Sequence, residues 1–285
     1  MKVGILYSRL RKDENLIIQE LEKRGHKINL IDDKEIIFNL EGIDKNKFDV
    51  DIILERCISH SRAAYSLKIL NESAVPTINT AETTEICGSK FLVTEAFLSN
   101  NVPHPPVSIA FNRTQALKAI ETIGYPVVMK PAIGSWGTLL AKINDLDAAQ
   151  AILAHKKVLG SFHHAIYYIQ KYINKPGRDI RVFVVGNKVV DAIYRKADFW
   201  ITHLDHGAKI EHCPITPEIE KIALDATRAV AGDIVAVDIV EDRQKQLLVL
   251  EVDYTVEFTQ YSPIIDEHKM TSVIVDYIEQ KVKLK

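Results

Sequence analysis

Three carboxylates near the C-terminus have a spacing that could hold a cation. Asp238 closes the run Val235-Ala236-Val237-Asp238, and Glu251 and Asp253 follow in Leu248-Val249-Leu250-Glu251-Val252-Asp253. Both runs are short, apolar and rich in β-branched residues, and the polar stretch 241–246 separates them, which is the pattern of a strand hairpin. Residues two apart on a strand share a face, so Glu251 and Asp253 project together, and Asp238 reaches the same place from the neighbouring strand. Carboxylates converging on an apolar sheet repel unless a cation neutralises them. Hard oxygen donors of this kind suit Mg²⁺, which prefers a few carboxylates together with substrate phosphates. The alternative is a solvated strand face carrying three acids, and the spacing leaves both open.

A second constellation points to phosphate. The strand 126–131 carries Lys130 near its end, the segment Ile133-Gly134-Ser135-Trp136-Gly137-Thr138 follows, and another strand begins at Leu139. A lysine supplies a point charge to phosphate oxygens, and glycines let backbone N–H groups approach them. The order of residues matches neither a Walker A loop nor a dinucleotide fingerprint. A plain hairpin turn at Gly134 and Gly137 is the competing reading, and the acidic trio weighs against it. Trp136 lies in a loop, so closing the site is a better account of it than core packing.

These groups need elements to hold them. Strand–helix alternation opens the chain: strands over Val3–Tyr7, Lys27–Ile31, Asp49–Glu55 and from Pro76, and helices over Glu14–Arg24 and Ala63–Asn71. That pattern predicts a parallel sheet with helices on both faces. Three prolines in 103–106 make a stiff linker. A second block follows, with helices over Arg113–Ile123 and Asp147–Leu153 and strands over 126–131, Leu139–Ile143 and Ile166–Ile173. The last block, Asp179–Glu257, reads as strands around one helix, Glu218–Val230.

Bulk properties exclude several classes. The chain has 285 residues, enough for two or three domains, and 47% hydrophobic with 26% charged residues is ordinary for a globular protein. A net charge of −2 gives no global basic field for nucleic acid. Cys57, Cys87 and Cys213 are odd in number and far apart, which argues against a disulfide framework. The N-terminus reads as a strand rather than a signal peptide, and no apolar run reaches membrane length. A cytoplasmic location and no membrane partner are expected. His163 and His164 lack ligand spacing. Cys57 lies beside Arg56, His60 and Arg62, which could lower a thiol pKa, although a buried structural cysteine is the simpler reading. Phe199 and Trp200 read as packing at a strand start.

Taken together, several runs resemble one family, the ATP-grasp ligases, in the branch of the RimK-type glutamate ligases and the LysX/ArgX ligases. They are Leu54-Glu55-Arg56-Cys57-Ile58-Ser59-His60, Cys87-Gly88-Ser89-Lys90, 130–137, Lys175-Pro176-Gly177-Arg178-Asp179-Ile180-Arg181, Ala192-Ile193-Tyr194-Arg195 and 251–258. The resemblance spans nearly the whole chain. It implies an α/β (α+β) ATP-grasp architecture: a preATP-grasp-like α/β domain over 1–86, a central lobe with the glycine loop over 87–174 and a C-terminal lobe with the metal site over 175–285.

The resemblance also implies roles. Lys90 and Lys130 contact ATP phosphates, and Gly134, Ser135, Trp136 and Gly137 close over them. Gln170, Lys171, Tyr172 and Ile173 form the hinge that reads adenine, and Asp179 holds the ribose hydroxyls. Arg181 and Arg195 stabilise the transferred phosphoryl group, while Asp238, Glu251 and Asp253 hold Mg²⁺. The reaction implied is activation of a carboxylate as an acyl phosphate, followed by attack of an amine. The carboxylate is the C-terminal glutamate of the acidic carrier protein LysW, and the amine is that of glutamate or α-aminoadipate, in arginine or lysine biosynthesis. A homo-oligomer, a dimer or tetramer, is implied as well.

The chain departs from the family pattern in four places. Asp253 replaces the asparagine of Glu-x-Asn, Thr138 follows the glycine loop in place of arginine, and Lys171 replaces a hinge glutamate. The acceptor loop Asn-Thr-x-Arg-Gly-Gly appears as His203-Leu204-Asp205-His206-Gly207-Ala208, with Thr259-Gln260-Tyr261-Ser262 after the metal strand. His203, His206, Gly207 and Thr259 are the substrate-binding candidates. Two readings follow: a ligase, or a diverged, weakly active or inactive paralogue that binds a nucleotide or partner, with Arg56, Arg62 and Lys68 as a local basic patch.

Overall fold

The computed structural model describes residues 1–41, 48–132, 139–159 and 166–284. The glycine loop with Gly134, Ser135, Trp136 and Gly137, and the pair His163 and His164, lie outside the described residues.

The N-terminal alternation folds as its pattern requires. Strands β1 (Lys2–Tyr7), β2 (Lys27–Asp32), β3 (Ile52–Arg56) and β4 (Thr77–Ile78) make one parallel sheet in the order β2-β1-β3-β4. Helix α1 (Lys12–Lys23) puts Ile17 and Leu21 against Val3, Ile5, Ile52 and Leu54 on one face. Helix α2 (His60–Glu72) puts Ala63, Leu67 and Leu70 against Leu6, Ile31 and Ile53 on the other. Alternate residues of each strand feed opposite cores, which is the period of two at work. Two further helices, α3 (Ala81–Gly88) and α4 (Lys90–Ser99), lead out of this domain, each with an N-cap side chain, Thr80 and Ser89. Their apolar residues form no one-sided stripe, so periodicity did not announce them.

The central lobe is a four-stranded antiparallel sheet, β5 (Val107–Ala110), β6 (Val127–Lys130), β7 (Ala141–Ile143) and β8 (Tyr167–Lys171), in the order β5-β8-β6-β7. Helices α5 (Arg113–Ile123) and α6 (Leu146–Leu159) cover one face through Ala116, Ile120, Ala149 and Leu153. The proline segment before β5 is extended and tied at both ends. Pro103 O accepts from Val249 N at 2.8 Å, and Pro106 O accepts from Lys171 N at 2.8 Å.

The C-terminal lobe is a five-stranded antiparallel sheet of β9 (Arg178–Val185), β10 (Lys188–Lys196), β11 (Lys209–His212), β12 (Ile234–Glu241) and β13 (Leu247–Asp253), in the order β11-β10-β9-β12-β13. The predicted hairpin exists as β12–β13, with Asp238 directly opposite Glu251. Helix α7 (Pro217–Ala229) covers one face of the sheet. On the other face lies α8 (Glu267–Lys283), beyond the block read as strands around a single helix. Met270, Ile274, Val275 and Ile278 of α8 pack in the same core as Val3, Ile5, Ile17, Phe183 and Val185, so the N-terminal sheet and the C-terminal sheet share one apolar interior.

Polar contacts lock that junction. Asn79 donates through Nδ2 to Ile234 O at 2.7 Å and Tyr254 O at 2.8 Å, and its Oδ1 accepts from Asp233 N and Ile234 N. Arg56 donates to Glu14 and to Val256 O. The basic patch does not survive folding, because Arg56 is 3% exposed, Arg62 pairs with Asp33 and Lys68 pairs with Glu72. Burial also pushes the Cys57 thiol up, so its cationic neighbours do not activate it.

Candidate nucleotide site

The two antiparallel sheets face each other across a cleft. One wall carries Val128, Lys130, Leu140, Gln170, Lys171, Tyr172 and Ile173 from the central lobe. The other carries Asp179, Arg195, Asp238, Val240, Leu250 and Glu251 from the C-terminal lobe. Lys90 at the start of α4 lines the cleft too, together with Lys175 and the segment Trp200–His203. The lining combines apolar and aromatic groups with charged ones, the two kinds of surface a nucleotide requires: a slot for a flat base and cations for phosphates.

Lys130 ends a fully buried strand, and burial pulls its ammonium down to about 8, with Lys90 and Lys175 adding to the shift and Glu251 opposing it. A buried ammonium beside other lysines calls for an anion. Lys175 is also lowered, mainly by burial, and donates to Thr202 Oγ1 at 2.6 Å.

Facing it is a row of alternating charge. Asp179 and Arg181 lie on β9, Arg195 on β10, Asp238 on β12 and Asp253 on β13. Strand register sets Arg195 opposite Asp179 and Asp238 opposite Arg181. Arg195 donates through Nε and Nη2 to Asp179 at 2.8 and 3.0 Å, and its Nη2 lies 3.0 Å from Asp238. Arg181 donates to both oxygens of Asp238 at 3.1 and 3.2 Å and to Asp253 at 2.5 Å. Burial alone would raise the Asp238 carboxyl, but Arg181 and Arg195 outweigh it and hold it below the usual carboxylate range.

This row alters the expected picture of the acids. Arg181 stands between Asp238 and Asp253, and among the described residues no three His, Cys, Asp or Glu side chains gather as a metal cluster. Asp238 and Glu251 remain cross-strand neighbours, and the Glu251 carboxylate makes no hydrogen bond or salt bridge to another described residue. Two adjacent hard-oxygen donors, one of them with no hydrogen bond or ion pair among the described residues, fit an ion such as Mg²⁺ that completes its shell with water and phosphate.

The remaining candidates divide. Gln170, Tyr172 and Ile173 line the slot, Gln170 being 3% exposed. Lys171 lines it too, yet its ammonium turns away and donates to Gly124 O at 2.8 Å, at the C-terminus of α5. A lysine there meets the negative end of the helix, which explains why a cation stands in the hinge. His203 reaches the cleft, its pKa lowered chiefly by burial. His206 does not; it stacks on Phe199 at 6.3 Å and lines an adjoining outer groove with Lys142 and Asn144. Gly207 takes φ +80° to end the short 3₁₀ turn Leu204–His206, a backbone role. Thr259 is tied to the N-terminal domain, its hydroxyl donating to Asp13 at 2.6 Å. Lys175, Thr202 and Trp200 also line the cleft, and they are not among the site residues the sequence suggests. The run Lys175-Pro176-Gly177 is the available signal for the first, whereas Trp200 reads from sequence as packing at a strand start.

Comparison with known proteins agrees with this architecture. Residues 3–86 match the LysX preATP-grasp domain and residues 87–278 the RimK-like ATP-grasp domain. The α-aminoadipate–LysW ligase LysX of Saccharolobus solfataricus is 34% identical over 250 residues, 87% of this chain and 90% of that protein. The glutamate–LysW ligase ArgX of Sulfolobus acidocaldarius is 30% identical over 262 residues, covering 90% and 91%. The crystal structure of a RimK domain ATP-grasp protein from Sphaerobacter thermophilus superposes with a TM-score of 0.81 at 23% identity, covering 97% of this chain and 99% of that one. With its LysX preATP-grasp domain followed by a RimK-like ATP-grasp domain, the chain belongs to the RimK/LysX/ArgX family of ATP-grasp ligases.

Proposed function

We propose that this protein joins an amino acid to a protein-borne carboxylate, using ATP and Mg²⁺, and that the carboxylate is the C-terminal glutamate of a LysW-type carrier. The observation that carries the reading is the cleft itself, where Lys90, Lys130 and Lys175 meet Glu251 and Asp238 beside an apolar slot. Carboxylates do not condense with amines unaided at neutral pH, so the carboxylate needs a phosphate leaving group. The chain's share is to bind, orient and shield the phosphoryl group.

In this reading the base lies in the slot along Gln170–Ile173, and Lys90 and Lys130 take the phosphates. Asp238 and Glu251 would supply oxygen ligands to Mg²⁺, with Asp253 two residues beyond Glu251 on the strand, and the bound ion would neutralise charge on the transferred group. Arg195 lies beside those phosphates. The carrier and the amine, glutamate or α-aminoadipate, are suggested by relatives that use one or the other at similar identity. The described part of the altered acceptor loop, with His203 at the cleft and His206 outside it, leaves the choice to experiment.

The test is phosphate release from ATP and Mg²⁺ with purified LysW and each amino acid in turn, read with the mass of the carrier. Release that requires both carrier and one amino acid, with the matching mass increase, names the substrate. Lys130→Met should lower that rate by at least ~10²-fold, the scale for loss of a group that stabilises transferring charge. Nucleotide binding without phosphate release under every combination would favour the diverged, binding-only paralogue.

A further inference from the structure

We infer that Asp13, in the first turn of α1, is a positioning residue for phosphoryl transfer, acting through the turn Thr259–Tyr261 and Arg181; the inference rests on the ATP-dependent reading above. The segment that follows the carboxylate-bearing strand β13 is held by the N-terminal domain at one residue after another. Tyr254 O accepts from Asn79 Nδ2 at 2.8 Å, the Thr255 hydroxyl donates to Glu55 at 3.2 Å, and Val256 O accepts from Arg56 Nη1 at 2.7 Å. Glu257 pairs with Arg11. Asp13 makes the last of these contacts, through both carboxylate oxygens. Oδ1 accepts from Phe258 N at 2.7 Å and Thr259 N at 3.1 Å, and Oδ2 accepts from the Thr259 hydroxyl at 2.6 Å. A helical turn leaves its first N–H groups without partners, and a carboxylate there satisfies them. Phe258, which precedes this 3₁₀ turn, offers no side-chain cap, so the buried Asp13 supplies one across 246 residues of sequence.

The residue that ends the capped turn connects it to the acids of the cleft. Tyr261 is 2% exposed and packs edge-on against Phe183, with ring centroids 5.6 Å apart. The Arg181 guanidinium lies 6.0 Å from the centre of the same ring. Arg181 and Phe183 stand two apart on β9 and so share a face, Phe183 in the core and Arg181 at its border. From there Arg181 donates to Asp238 and to Asp253. Asp253 is held from its other side as well, since its Oδ1 accepts from Thr255 N at 3.2 Å. Two routes therefore run from the N-terminal domain to these acids, one along 253–255 and one through Tyr261 to Arg181. Asp13 secures the second route and is not among the residues lining the cleft, so its part in the reaction is positional. A guanidinium seated on a fixed ring keeps its acids in place as charge develops beside them, which is the source of electrostatic preorganisation.

The experiment compares the wild type with Asp13→Ala, Asp13→Asn, Tyr261→Leu and the double variant Asp13→Ala/Tyr261→Leu. It measures kcat and KM for ATP by phosphate release, and calorimetric affinity for ADP with and without Mg²⁺. Asp13→Ala should lower kcat about tenfold. KM for ATP and the affinity for Mg²⁺-free ADP should change less than about threefold. Asp13→Asn keeps an oxygen for both N–H groups and an amide for the Thr259 hydroxyl, so kcat should return to within about threefold of the wild type. Because Asp13 and Tyr261 act in series, the double variant should be no slower than the worse single variant, whereas independent losses multiply. The gain in ADP affinity on adding Mg²⁺ should shrink in Asp13→Ala and return in Asp13→Asn, a readout that needs no turnover. If Asp13→Ala does not fold, Thr259→Val removes the hydroxyl bond alone and should show the same pattern with a smaller kcat loss. A wild-type kcat in Asp13→Ala, an Asp13→Asn as slow as Asp13→Ala, or multiplied losses in the double variant would overturn the inference and leave Asp13 a cap for the fold alone. If the wild type bound no ADP, the ATP-dependent reading would fall and the inference with it.

Discussion

Gly88, the last residue of α3, leaves room for the imidazole of His60: a Cβ at position 88 would lie 1.9 Å from His60 Cε1. His60 in turn sits 3.0 Å through Nδ1 from the hydroxyl of Tyr254, the residue after Asp253. The end of the carboxylate-bearing strand is thus braced by a side chain from the N-terminal domain, and a missing methyl makes the brace possible. Gly88→Ala must push the ring away, at a cost of about 1–3 kcal/mol for overpacking. His60→Ala opens the space, so the double variant should recover much of that loss. Thermal unfolding of all four proteins gives the coupling, and strictly additive losses would refute the brace.

Asn79 makes four hydrogen bonds to backbone groups of the C-terminal lobe, at 2.7, 2.8, 2.7 and 3.0 Å. Asn79→Ala strands two buried N–H groups and two carbonyls, each worth about 1–3 kcal/mol when left unmade. Allowing for water and relaxation, a net loss of roughly 3 kcal/mol is expected. The urea midpoint should fall, and an unchanged midpoint would mean the junction rests on its apolar core alone.

Glu55 is buried at the end of β3, and desolvation raises its carboxyl to about 7, although the Cys57 N–H at 2.5 Å and the Thr255 hydroxyl oppose the shift. The native state therefore holds this proton more tightly than the unfolded chain, whose carboxyl titrates near 4.5. Its contribution to stability is complete below about pH 4.5, declines as pH rises to about 7, and is absent above. Across that window the wild type should lose more stability than Glu55→Gln, by on the order of 3 kcal/mol. Denaturation curves at closely spaced pH values measure the difference, and parallel profiles would show that Glu55 is ionised throughout.

Lys171 spends its ammonium on the carbonyls closing α5, Gly124 O at 2.8 Å and Tyr125 O at 3.4 Å. Lys171→Met should cost roughly 1 kcal/mol of stability and change ATP affinity less than about threefold. A tenfold loss of affinity would instead mean that the side chain reads the nucleotide.

Much of this protein could be read from its residues because the signals were local. Short, apolar runs in Val3–Tyr7 and Leu248–Asp253 announced strands. The polar turn between two apolar runs announced the β12–β13 hairpin, and hence the meeting of Asp238 with Glu251. Lys130 at a strand end, with glycines after it, suggested phosphate binding, and the structure places Lys130 in the cleft lining. Helix α8 lies beyond the block read from the sequence, although Met270, Ile274 and Ile278 recur at the helical spacing that could have found it.

Tertiary structure alone decided which charges neutralise which. Asp179, Arg181, Arg195, Asp238 and Asp253 come from four strands, and only sheet register interleaves them into an alternating row. The same holds for Thr259, which meets Asp13 across 246 residues of sequence, and for Lys171, which turns from the slot to a helix end. Sequence spacing determines which side chains share a face of one element. It carries no direct statement of which element lies opposite, and at charged sites the opposite element determines what a carboxylate is free to bind.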